Sequence, residues 1–120
     1  MEISVKTLPH DKQRYNTCGD YWFNDGLIHI RVSDMKNEDY AFLVAIHEQI
    51  EAYLTQKRGI DEKEITLFDT SYQGAGEPGD AKDAPYRKEH FFATTIERLI
   101  AAELNVDWNE YDKTIMSLGE

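Results

Sequence analysis

The period of the apolar residues changes once, at Ser33-Asp34, and that change limits the chain to folds in which strands precede helices. Upstream, Glu2 to Leu8 alternates Ile3 and Val5, and less regularly Leu8, with polar neighbours, as a half-buried strand does. Pro9 to Gly19 is polar and reads as a loop. Asp20 to Phe23 and Leu27 to Val32 flank Asn24-Asp25-Gly26, a polar insert with glycine placed for a left-handed turn, which predicts a hairpin. An antiparallel meander of three strands is expected here. Downstream the spacing is helical. Asn37 is placed to cap a first main helix, 37–58, which ends on Lys57-Arg58 with Gly59 behind it. Ile60 to Phe68 fits either a short helix or a strand. A second main helix occupies 87–104, and a shorter one begins at Asp107, where Asp107 and Glu110 form a variant capping box. The expected class is α+β, a single domain over 1–120 with the meander packed on the two main helices.

Composition supports such a core and narrows the chemistry. The 120 residues are 41% hydrophobic and 12% aromatic, enough to fold without a disulfide or metal staple. Cys18 is the only cysteine, which excludes an internal disulfide and a cysteine-built zinc site. No apolar run approaches the roughly 18 residues of a membrane span and no signal peptide is evident, so a cytoplasmic chain without a membrane partner is expected. Thirteen Lys+Arg against 23 Asp+Glu give a formal charge of −10, the wrong sign for a nucleic-acid partner. Between the main helices, Asp69 to Tyr86 holds three of the seven glycines and two of the three prolines. It lacks the Gly-Lys-Ser/Thr ending of a phosphate-binding loop, and its length suits a lid. Tyr72 and Tyr86 bracket it, either of them a possible oxyanion donor.

Four ionisable residues stand on apolar stripes. On the first helix, Leu43, Ile46, His47, Ile50, Glu51 and Leu54 share one face at helical spacing. His47 and Glu51 are four residues apart, about 40° in azimuth and ~6 Å in rise, so their side chains can converge. On the second, Tyr86, His90, Ala93, Glu97, Ile100 and Leu104 form a stripe, and Phe92, Ile96 and Leu99 form another, which predicts a central helix covered on two sides. Burying unpaired carboxylates costs several kcal/mol, so these groups need partners. A divalent cation satisfies all of them, with His47, Glu51 and His90 as ligands and Glu97 outside them, orienting one. Glu48, beside His47, is placed to act as general base on a water activated by the metal. The alternative is a buried cluster in which each histidine pairs with a glutamate. The remaining histidines are weaker candidates: His29 alternates on a strand, and His10 lies in a loop.

The run His47-Glu48-Gln49-Ile50-Glu51 resembles the zincin metallopeptidase motif, with Glu51 where that family has its second histidine and His90 supplied from the later helix. The resemblance implies a minimal zincin-like fold in which Leu27–Val32 lines a cleft, a zinc cofactor, and hydrolysis of a peptide or small-molecule substrate. The small acidic chain also looks like a phage or prophage accessory protein, so a non-catalytic phage-type or regulatory binding protein is the competing function. A di-iron protein ranks behind both, because the paired Glu-x-x-His motifs of that class are absent.

Overall fold

The computed structural model describes residues 1–118. Three strands, β1 (Glu2–Leu8), β2 (Gly19–Asn24) and β3 (Leu27–Ser33), form one sheet, followed by helices α1 (Glu38–Lys57), α2 (Glu62–Ser71), α3 (Arg87–Glu103) and α4 (Trp108–Leu118). The class is α+β. The sheet is not the antiparallel meander expected. Its order is β1-β3-β2, with β2 antiparallel and β1 parallel to β3. The hairpin turn is Asp25-Gly26, both at positive φ (53° and 75°), and Asn24 pairs with Leu27, so the loop has two residues rather than three. The segment from 9 to 18 carries the chain across the end of β3 and so places β1 on its far side. Its Gln13 amide donates to the Arg31 carbonyl at 3.1 Å, His10 Nδ1 lies 2.8 Å from the Ser33 hydroxyl, and the Asp34 amide donates to the Leu8 carbonyl. His10 therefore has a structural task.

Ile28, Ile30 and Val32 point from β3 into the core, where Leu43, Val44 and Ala52 of α1 meet them. Each fully buried aliphatic side chain of this kind contributes about 1.5–3 kcal/mol. His29 and Arg31 face the other way, with Trp22 stacked flat on His29 and Arg14 over the Trp22 ring. Asn37 caps α1 through the Tyr40 amide, Asp61 caps α2 through Lys63, and Asp107 accepts from Glu110 at the start of α4. The undecided stretch 60–68 is thus largely helical, and the loop it precedes shortens to 72–86.

Two helix faces differ from expectation. The buried arc of α1 is Leu43, Val44, His47, Glu51, Ala52 and Thr55, while Ile46, Ile50 and Leu54 are only half-buried. α1 lies between the sheet and α3, so its buried arc serves two partners and is wider than one stripe. On α3, Phe92 and Leu99 are exposed, so that helix is covered on one side only. No helix among the described residues is long and apolar enough to cross a membrane.

Candidate metal centre

α1 and α3 pack along each other, and their contact brings the four singled-out residues together, each 4–6% exposed. Nε2 of His47 lies 3.0 Å from Oε2 of Glu51 and 3.2 Å from Nδ1 of His90, and that Nδ1 is 3.0 Å from the same Glu51 oxygen. Two ligand atoms each about 2.1 Å from one zinc ion stand about 3.0 Å apart at a right angle and about 3.4 Å apart at the tetrahedral angle. The three edges fall in that window. The group can hold a metal ion.

The orientation of the donors agrees with this. Nδ1 of His47 is 2.8 Å from Oε1 of Glu97, whose other oxygen accepts the Tyr111 hydroxyl. A proton placed on Nδ1 by that network leaves the Nε2 lone pair aimed into the triangle. Glu97 thus reaches across to α1 from two turns beyond His90 and holds the His47 ring through that contact. Glu48 reaches to 3.8 Å from Nε2 of His47, its side chain lying against Gly19, where a Cβ would come 2.7 Å from the Glu48 Cγ.

Burial is the largest influence on these charges, and it acts against each of them. For His47 it is outweighed by hydrogen bonds to Glu51 and Glu97, which hold the ring well above the ordinary imidazole value. His90, hydrogen-bonded to Glu51 and with the negative charge of Glu77 nearby, is raised to about 10. Burial pushes Glu51 up, but the two imidazoles bring it down to about 2. At Glu48 burial and the neighbouring Glu51 outweigh the pull of the two imidazoles and raise its carboxyl well above the usual range. The cluster demands positive charge, which protons supply when no cation does.

A cavity of about 220 Å³ opens beside the triangle, lined in part by Glu48, Glu77, Asp69, Tyr15 and Tyr86. Asp69 accepts from the hydroxyls of Tyr15 (3.1 Å) and Tyr86 (2.5 Å), and burial still lifts its carboxyl to about 6. Tyr72 donates to the Ala75 carbonyl at the surface, so both loop tyrosine hydroxyls are already engaged within the chain. Cys18 lines the same cavity, its thiol pushed up by burial and hence neutral. β3 does not line it; the start of β2, Gly19, does. The breaker-rich loop packs over the cluster, as a lid would: Gly79 is buried against the His90 ring, and Oε2 of Glu77 lies 3.1 Å from its Nε2. Glu77 and Asp69 had no sequence signal beyond lying in the breaker-rich segment 69–86, and Tyr111 none beyond its place on the last helix. No family model matches the chain, and no curated protein or solved structure matches it either. The site carries the functional argument alone.

Proposed function

We propose that the chain is a zinc-dependent hydrolase of the peptidase kind, with His47, Glu51 and His90 as ligands and Glu48 as general base. The observation that carries this reading is the triangle of donor atoms with edges of 3.0, 3.0 and 3.2 Å, buried beneath a cavity. Two imidazoles and one carboxylate are a donor set zinc accepts while keeping an open position. Bound there, zinc would supply Lewis-acid activation of water. The chain's own groups do the remaining work. Glu97 fixes the tautomer of His47, and Tyr111 fixes Glu97. Glu48 has a carboxyl raised by burial and by Glu51, which makes its carboxylate form a stronger base towards a bound water. The cavity is smaller than the roughly 300–1,000 Å³ of drug-sized sites, which favours a small substrate or one end of a peptide.

A second reading has its own observation. The raised histidines let the same cluster persist as a protonated, hydrogen-bonded core of a binding protein. Substitution separates the two. His47→Ala, Glu51→Ala and His90→Ala should lose zinc and stability together, whereas Glu48→Gln should keep both and lose hydrolysis by about 10²–10⁴-fold. A protein that never holds zinc, with Glu48→Gln silent, belongs to the second reading.

A further inference from the structure

His90 is 6% exposed and offers one ring nitrogen to the triangle, while the other faces the loop. That second nitrogen, Nε2, is buried and makes no hydrogen bond. Two carboxylate oxygens nevertheless stand close to it, Oε2 of Glu77 at 3.1 Å and Oδ1 of Asp80 at 3.3 Å. Neither lies in line with the ring N–H direction. An N–H···O bond needs an acceptor near the axis. A cation on the Nε2 lone pair needs the opposite, oxygens flanking the axis about 3.0–3.4 Å from the nitrogen so that each also reaches the ion. The observed distances fall in the second window, the absent hydrogen bond fails the first, and the three donor atoms are close enough together to hold an ion.

From these positions the geometry points to a second divalent cation site formed by Glu77, Asp80 and Nε2 of His90, with His90 bridging it to the ion held by His47 and Glu51. The bridge requires both ring protons of His90 to pass to solvent as the two ions bind, leaving an imidazolate whose two nitrogens each donate to one ion. The negative charges of Glu51, Glu77, Asp80 and that imidazolate then offset two divalent ions. One nitrogen and two carboxylate oxygens suit zinc, manganese or ferrous iron. The Glu77 and Asp80 side chains are 37% and 66% exposed, so the ion keeps open positions towards solvent. Local structure supports the arrangement. Pro78–Asp80 form one 3-10 turn, and Gly79 permits it, since a Cβ there would sit 2.4 Å from the His90 Cγ. Glu77 and Asp80 thus straddle the ring they serve.

This inference rests on the His47, Glu51 and His90 assignment, and one experiment distinguishes their failures. The full chain is stripped with chelator, equilibrated by dialysis against Zn²⁺, and its bound metal counted per chain. A Glu77→Gln/Asp80→Asn variant and a charge-matched control, Glu103→Gln/Asp112→Asn on exposed surfaces of α3 and α4, are treated alike, with the fold of each checked by circular dichroism. Two ions in the parent and the control and one in the loop variant are expected. One ion in all three proteins overturns the second site and leaves the first standing. Loss of an ion from the control as well shows surface scavenging and also overturns it. No bound ion in any protein overturns both sites.

Discussion

Tyr111 and Glu97 show how one buried hydrogen bond governs the next. Glu97 accepts from both the Tyr111 hydroxyl and Nδ1 of His47, so it cannot be removed without orphaning two donors. Glu97→Ala should lower stability by about 1–3 kcal/mol for each donor left unpaired and weaken zinc about 10–100-fold, read by urea denaturation and by competition with a chelator. Tyr111→Phe, which leaves the His47 contact in place, should weaken zinc far less. The titration of the metal-free cluster follows from the same contacts. His90 rises from 6.5 to about 10 in the folded chain, so its stabilisation is full below 6.5 and is lost as pH climbs towards 10. Glu51 is depressed from 4.5 to about 2, so its contribution is present above 4.5 and fades as pH falls towards 2. For this pair, metal-free protein should be most stable between about pH 4.5 and 6.5 in a urea series across pH, whereas zinc affinity should rise with pH because the ligands bind unprotonated.

α1 shows both what helical spacing conveys and where it fails. His47 and Glu51 could be placed inward because four-residue spacing within an apolar stripe puts them on one side, and His90 and Glu97, seven residues apart, follow from the same helical period on α3. Ile46, Ile50 and Leu54 misled because spacing does not say how many partners a helix has. α1 meets the sheet and α3, which moves the buried arc to Val44, Ala52 and Thr55. Phe92 and Leu99 misled in reverse, being apolar yet uncovered. The loop over residues 72–86 was legible as a loop from its glycines and prolines, but its contacts depend on a backbone approach no pattern encodes. Gly79 is the residue that makes the approach. Gly79→Ala would press a Cβ into the His90 ring, itself held in the core, at a cost of about 1–3 kcal/mol. The expected outcome is faster proteolysis within 72–86 and about 10-fold weaker zinc binding; unchanged values for both would show that the loop does not brace the ring.

At the scale of the molecule, the class was readable from the change of period at Ser33-Asp34, but the strand order was not. Alternation in β1 says which face is buried and nothing about which edge of β3 it joins; the polar span from 9 to 18 decides that through Gln13, His10 and Ser33. The sheet and α1 form the frame, and α3 with its preceding loop closes the centre against it. Any ion bound there links both parts of the fold. Zinc at 100 times its Kd should therefore add about 2.7 kcal/mol to the free energy of unfolding, raising Tm by roughly 10 °C, and chelation should reverse the change. The most direct test of the centre is an anomalous difference map from crystals of the protein grown with Zn²⁺. The predicted result is a zinc peak about 2.0–2.2 Å from Nε2 of His47, Nδ1 of His90 and Oε2 of Glu51 together. Crystals holding zinc only elsewhere, with those three atoms still hydrogen-bonded to one another, would contradict it.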